Sequence, residues 1–320
     1  MKSVLVVRPS SLGDIVYALA LATDIRRRYP DAVIDWVSEP GFAPLVRLAP
    51  DVRDVVTFGL RRWRRAPFAR GTWHDMRAFA RALRATRYDA VLDLQEQVKG
   101  ALIARLARGT RHGFDAASIR EPLATLGDDV HHRVPRDLHF LARCRRLAAL
   151  ALGVDADAPP RWNLRPPPRA PAMPDRAYAV LLHGTSRHDK LWSEAQWRRV
   201  QQALAAAGLA LVLPWGSAAE EARSRRLAEG VADAVVPPWL SLPDAAALLS
   251  RAKLAIGVDT GFTHLAAALQ TPTIAIFTAT DPRRHGVAAT GAHGNDLGDR
   301  GVPPAADDVI AAAHRALGVR

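Results

Sequence analysis

Residues 4–21 read Val4-Leu5-Val6-Val7, then Arg8-Pro9-Ser10-Ser11-Leu12-Gly13-Asp14, then Ile15-Val16-Tyr17-Ala18-Leu19-Ala20-Leu21. An apolar strand breaks into a Ser/Gly turn and continues as an apolar helix. This is the pattern of the first unit of a doubly wound α/β domain, where ligands sit at the carboxyl ends of the strands. The usual dinucleotide fingerprint is missing, because Asp14 stands where a third glycine would let a pyrophosphate approach. A carboxylate repels phosphate, so this turn is unsuited to a nucleotide and suited to accepting a proton. It points to an enzyme whose first domain presents a base.

Working outward, the alternation continues. Ala32–Val37, Asp54–Phe58 and Asp89–Leu94 read as strands, and Met76–Thr86 and Val98–Arg108 as helices. Such alternation predicts a parallel sheet with helices on both faces. A long helix over Asp137–Leu152 closes this half. The stretch Arg165-Pro166-Pro167-Pro168-Arg169-Ala170-Pro171-Ala172-Met173-Pro174 admits neither helix nor central strand and reads as a stiff linker. The alternation then restarts, with strands at Tyr178–Leu182, Ala210–Leu213, Ala234–Val236, Leu254–Val258 and Thr273–Phe277. Helices are predicted over Ser193–Ala207 and Ala218–Glu229. The expected plan is a first domain over 1–165, a linker over 166–176, a second domain over 177–304, and a helix over 305–320 packing back toward the first domain. Two such domains would face each other across a cleft. No internal sequence repeat is apparent.

The composition fits a soluble globular protein. Hydrophobic residues make up 49% and charged residues 24%. No apolar run approaches the ~20 residues needed to span a bilayer. Met1-Lys2-Ser3 leads directly into a strand, so no signal peptide is expected. The single cysteine, Cys144, excludes an internal disulfide and fits a reducing cytoplasm. Forty-four basic against 32 acidic residues give a net charge of +12. That field suits polyanionic partners in general and does not choose among them.

Three turns of the second half carry candidate chemistry. His183-Gly184-Thr185-Ser186-Arg187-His188-Asp189-Lys190-Leu191-Trp192 follows a strand and precedes a helix. Its hydroxyls and Lys190 suit phosphate oxygens. In Leu213-Pro214-Trp215-Gly216-Ser217-Ala218-Ala219-Glu220, the acid Glu220 either accepts ribose hydroxyls or serves its own helix terminus. In Ile256-Gly257-Val258-Asp259-Thr260-Gly261-Phe262-Thr263-His264, Thr260 and Gly261 open a helix whose N–H groups form an anion site. Asp259 reads there either as a contact for sugar hydroxyls or as an ordinary N-cap, and His264 either as a ligand contact or as a packed helix residue.

In the first half, Arg61-Arg62-Trp63-Arg64-Arg65 is a cluster of guanidinium forks suited to carboxylate and phosphate, or else a solvated face. Arg120 is a second anion contact, or a partner for Glu121. Several chemistries find no support. His131 and His132 lack zinc-ligand spacing, there is no Walker A and no G-x-S-x-G elbow, and no nucleic-acid motif appears.

Together these segments resemble the lipopolysaccharide heptosyltransferases. The resemblance covers Ser10–Asp14, Phe42-Ala43, Arg61–Arg64, Tyr88–Val91, Arg120-Glu121-Pro122-Leu123-Ala124, Asp189–Trp192, Leu213–Gly216, Arg226–Gly230 and Val258–Gly261. The arginine segments are narrower and favour the type I branch over type II.

The resemblance implies a GT-B fold of two Rossmann-like domains and an inverting transfer without metal or other cofactor. It implies ADP-L-glycero-β-D-manno-heptose as donor and Kdo-modified lipid A as acceptor. The setting it implies is the cytoplasmic face of the inner membrane, with peripheral contact to anionic lipid and no nucleic acid. Asp14 matches the family's catalytic base. Thr185, Ser186 and Lys190 match the donor-phosphate residues, Glu220 the ribose contact and Leu240 the position meeting adenine. Asp259 matches the heptose contact, with Thr260, Gly261 and His264 at the diphosphate. Arg61, Arg62, Arg64, Arg65 and Arg120 match the acceptor side. Arg8, Ser186 and Leu191 replace the family's lysine, threonine and histidine. A non-hydrolysing nucleotide-sugar epimerase is the alternative of another class on the same fold.

Overall fold

The computed structural model describes residues 1–291 and 293–318. The chain divides into two compact units, Met1–Arg165 and Pro166 onward. The first holds six strands: β1 (Ser3–Val7), β2 (Val33–Ser38), β3 (Asp54–Thr57), β4 (Arg87–Asp93), β5 (Arg108–Phe114) and β6 (Val130–His132). They pair in the order β3-β2-β1-β4-β5-β6, all parallel. The second holds β7 (Tyr178–Leu182), β8 (Ala210–Val212), β9 (Ala234–Val235), β10 (Leu254–Val258), β11 (Thr273–Phe277) and β12 (Gly294–Gly298). Their order is β12-β11-β10-β7-β8-β9, again all parallel. Counted from its own first strand, the second sheet repeats the order of the first. The two units thus share a topology that no sequence repeat announces. In each, the strand order reverses at one point, between β1 and β4 and between β7 and β10. Crevices for ligands open there, beyond the strands' carboxyl ends.

Hydrophobic burial explains why these strands are central. Val4-Leu5-Val6-Val7 and Leu254-Ala255-Ile256-Gly257-Val258 are buried along their length, as a parallel sheet covered on both faces requires. In the second unit, Trp197, Val200 and Leu204 of the helix Glu194–Ala206 pack on these strands.

The last helix, Ala306–Leu317, helps to close the second unit. Its buried face, Ala306, Val309, Ala312 and Ala313, belongs to the core of the second unit and packs against the helix Glu194–Ala206. Small residues on that face let this helix settle closely on its own unit.

Beside the switch point of the first sheet lie two buried carboxyls, Asp93 and Asp128. One Asp93 oxygen accepts the N–H of Gln95 at 2.8 Å. The other, and both oxygens of Asp128, have no hydrogen-bond partner among the described residues. Burial, then the charge of Asp128, pushes Asp93 up to about 8, with Glu96 adding to the rise and Arg8 opposing it. Burial pushes Asp128 up to about 7, against the pull of Arg111. A carboxyl whose folded pKa is raised binds more protons folded than unfolded. Its stabilising contribution is full below the ordinary carboxylate range and is lost as pH rises through 7–8. Asp93→Asn is therefore expected to flatten the fall in melting temperature between acid and mildly alkaline pH. Scanning calorimetry across that range, with a variant slope equal to wild type, would disprove this.

Candidate active site

The donor candidates all sit on loops or first helical turns beyond the carboxyl ends of β7 to β10. Behind β7, the loop carrying Lys190 is pinned by its neighbour. Trp192 is buried edge-on against Trp197, with ring centroids 5.3 Å apart, and its indole N–H donates to the Pro304 carbonyl at 3.1 Å. That anchor sets the Lys190 ammonium 2.7 Å from Asp259 Oδ2. Asp259 follows β10 directly, and its own N–H still pairs with Ile276 of β11. Thr280, in the loop after β11, donates its hydroxyl to the same Oδ2 at 2.6 Å. The imidazole Nε2 of His264 lies 3.2 Å from Asp259 Oδ1. Burial acts to raise the Asp259 carboxyl, but His264 and Lys190 outweigh it and hold the group far below the usual carboxylate range. Asp259 is thus a fixed anion.

The helix Gly261–Ala268 starts beside this carboxylate. Thr260 takes the extended N-cap conformation, yet its hydroxyl makes no cap bond. Asp259, read in sequence as a possible cap, is not the N-cap residue. Thr263 instead donates its hydroxyl to the Val258 carbonyl at 2.7 Å, which presses the helix onto β10. A Cβ at Gly257 would lie 2.1 Å from that hydroxyl oxygen, so only glycine permits this seat. The positive end of the helix is left pointing beyond the sheet.

Glu220 reaches across two strand ends. Ser217 caps the helix Ala218–Ala228, and the Glu220 carboxylate accepts the N–H of Gly216 at 2.8 Å. A Cβ at Gly184 would fall 2.6 Å from that carboxylate. Glycine after β7 therefore makes room for an acid from beyond β8. Thr185 is half-buried and Ser186 exposed, on the loop that carries Lys190. Leu240 is buried in the segment after β9. His183 is wholly buried, with Nε2 2.7 Å from the Ser224 hydroxyl, and burial takes it down to about 4, so it is a neutral structural residue.

In the first unit, Asp14 lies in the first turn of the helix Leu12–Ala18. The Ser11 hydroxyl donates to it at 2.8 Å, and an Arg8 guanidinium nitrogen lies 2.5 Å away. Burial works to raise this carboxyl, but the charge of Arg8 and the hydrogen bonds of Ser11 hold it below the usual range. About a quarter of the side chain, 24%, is exposed. Arg8 is buried, donates to the Leu94 carbonyl and stacks on Phe140 with 4.7 Å to the ring centre.

Around this pair gather Lys99, which the sequence places just after a strand end, and Glu39, which the sequence reading passed over. Glu39, at the end of β2, lies 3.0 Å from Arg61 and 4.0 Å from Lys99. Lys99 donates to the Ser10 hydroxyl at 2.7 Å. The signal for Glu39 was its place one residue beyond a strand; Thr280 stands three residues beyond one.

The remaining arginines divide. Arg62 is ion-paired to Asp75 at 2.5 Å, while Arg64 and Arg65 are exposed. Trp63 is no surface residue: it is buried between Phe58 and Phe79, with ring centroids 5.2 and 5.7 Å away. Arg120 is exposed, and Glu121 is engaged elsewhere, accepting the Val98 N–H at 2.9 Å. Among the described residues Arg64, Arg65 and Arg120 have no carboxylate within 4.0 Å. Among the described residues, too, no group of three or more histidine, cysteine or acidic side chains is placed to hold a metal ion.

The chain is similar to the lipopolysaccharide heptosyltransferase 1 of Escherichia coli (strain K12), with 41% identity over 282 residues, 87% of this chain and 88% of that one. Among solved structures it is similar to the E. coli heptosyltransferase WaaC with ADP, at a TM-score of 0.88 and 36% identity, covering 98% of this chain and 99% of that one. The same enzyme with ADP-2-deoxy-2-fluoro heptose gives a TM-score of 0.84 at 36% identity, covering 98% of each chain. The profile of glycosyltransferase family 9 (heptosyltransferase) matches residues 76–301, which span strands of both sheets and every donor-side loop described above. Two sheets of one strand order, with a fixed anion, a lysine and a helix terminus gathered beyond the second, are thus the framework of a glycosyltransferase, and this chain belongs to glycosyltransferase family 9, the heptosyltransferases.

Proposed function

We propose that the enzyme transfers L-glycero-D-manno-heptose from ADP-heptose to the Kdo region of Kdo-modified lipid A, in inner-core lipopolysaccharide synthesis. The observation that carries this reading is the cluster of Lys190, Asp259, His264 and Thr280 at the start of the helix Gly261–Ala268. It joins cationic and N–H groups for a diphosphate to a carboxylate for sugar hydroxyls. The 41% identity is to a type 1 enzyme, so neither a type II enzyme nor an epimerase is favoured.

In this reading an acceptor hydroxyl attacks the anomeric carbon of the heptose, and the bond to the ADP oxygen breaks. Asp14 takes the hydroxyl proton. Lys190 and the N–H groups at Gly261 meet the charge arriving on the diphosphate. Asp259 and Glu220 orient heptose and ribose by accepting from their hydroxyls. Thr185 and Ser186 donate to phosphate oxygens, and Leu240 lies against adenine. Arg61, Arg62, Arg64, Arg65 and Arg120 receive the carboxylates and phosphates of the acceptor. Because that acceptor is a lipid, the enzyme works as a peripheral protein at the cytoplasmic face of the inner membrane.

Incubation with ADP-heptose and detergent-dispersed Kdo-lipid A tests the reading. Release of ADP and a lipid heavier by one heptose are expected, undiminished by EDTA. Free heptose without heptosylated lipid would refute the acceptor, and activity lost to EDTA and restored by magnesium would refute the leaving-group role of Lys190 and the helix terminus.

The arginine cluster has its own expected result. Replacing Arg61, Arg62 and Arg64 by alanine should raise the acceptor's KM, with donor affinity nearly unchanged. Wild-type acceptor KM should also worsen with salt, since exposed charges are screened within about 10 Å at 0.1 M. Normal acceptor kinetics in the triple variant would return the cluster to a solvated face.

A further inference from the structure

The helix Arg70–Ala85 begins six residues before the span predicted from sequence, and those residues change its character. Thr72, Phe79 and Leu83 face the core. The opposite face carries Arg70, Trp73, Arg77, Arg81 and Arg84, spaced three or four apart and therefore aligned in one stripe. At 1.5 Å per residue the stripe runs about 20 Å. All four arginines are exposed, and among the described residues none has a carboxylate within 4.0 Å. The helix's only acid, Asp75, is taken by Arg62. Trp73 is 51% exposed within the stripe, and Phe68, in the turn just before it, is 91% exposed. Burial of a large aromatic is favourable, so two left open beside unpaired arginines need a partner both anionic and partly apolar.

We propose that this face docks on an anionic lipid bilayer. Arginines suit headgroup phosphates, and Trp and Phe suit the boundary between headgroups and acyl chains. A nucleic acid would match the charge but leave the Phe68 ring in the turn without an apolar environment. The proposal rests on the reading that the acceptor is a membrane lipid, and it says which surface brings the enzyme there. It also explains a linkage within the first unit. The Arg62–Asp75 ion pair, the Trp63–Phe79 ring contact and the Thr72 hydroxyl on the Ala66 carbonyl at 2.8 Å tie the stripe to the short helix Leu60–Arg65. A docked helix therefore holds those arginines at headgroup level.

Co-sedimentation with vesicles tests this. The wild-type protein should bind vesicles of mixed phosphatidylcholine and phosphatidylglycerol, and not vesicles of phosphatidylcholine alone. At roughly fivefold per arginine near an anionic surface, Arg70, Arg77, Arg81 and Arg84 all changed to alanine should lower partitioning by roughly several-hundred-fold. Phe68→Ser with Trp73→Ser should also lower it, without weakening the dependence on salt. Both variants should melt as wild type does and keep ADP affinity and turnover of detergent-dispersed acceptor. Unchanged vesicle binding by the quadruple variant overturns the proposal. So does equal loss of turnover on dispersed acceptor, which would make these arginines acceptor contacts, and so does binding of duplex DNA in preference to vesicles. If the wild type transferred no heptose, the functional reading would fall while the vesicle measurement still stood.

Discussion

Replacing Asp14 with asparagine is expected to lower turnover by roughly 10²–10⁴ while leaving ADP affinity intact. The side chain is held by Ser11 and Arg8, and asparagine keeps the shape and one acceptor oxygen for the Ser11 hydroxyl. What it loses is the negative charge that receives the acceptor proton. Arg8 loses its carboxylate too, but retains the Leu94 carbonyl and the Phe140 ring, so the fold should survive with a modest drop in melting temperature. Steady-state rates measured well below that melting point decide the matter. Turnover near wild type in a folded Asp14→Asn protein would remove Asp14 from its role as base.

The second large effect is expected at Lys190. Its alanine variant should lose roughly 10²–10³ in kcat/KM for ADP-heptose and should bind ADP more weakly as well, because the missing charge faces the diphosphate. Asp259→Asn should behave differently. It removes the charge that fixes Lys190, His264 and Thr280, and it should weaken ADP-heptose far more than ADP. Calorimetric titration of both ligands into both variants separates the cases. Equal losses of ADP affinity would show that lysine and aspartate act only as one ion pair, with no division between phosphate and sugar.

Central strands were legible in the sequence because burial on both faces forces continuous apolar runs. Tyr178–Leu182, Leu254–Val258 and Thr273–Phe277 were read to the residue. Three strands, β5, β6 and β12, were not. β5 reads Arg-Gly-Thr-Arg-His-Gly-Phe, β6 Val-His-His and β12 Gly-Asn-Asp-Leu-Gly, and each is only partly buried, so neither alternation nor an apolar run marks it. The same logic applies to the site. Lys190, Asp259 and His264 stood out because they follow strands in turns of small residues. Their meeting at one carboxylate did not, since Lys190 and Asp259 are 69 positions apart and only the pairing of β7 with β10 brings their loops together. The helix Arg70–Ala85 was read late because Arg70, Gly71, Thr72 and Trp73 show no apolar period.

The placement of the last helix has a consequence for how the protein is made. Residues 1–165 form a self-contained unit that is complete when half the chain is synthesised. The second unit cannot close its core until Ala306, Val309, Ala312 and Ala313 have left the ribosome. At roughly 5–20 residues per second, that interval lasts between roughly 8 and 30 seconds. During it, the nascent chain carries the folded half with Asp14 and the arginines, while the half with Lys190 and Asp259 is still unfinished. A message truncated before residue 305 would therefore yield a stable first unit that retains the acceptor arginines and the basic helix, but holds no finished donor site.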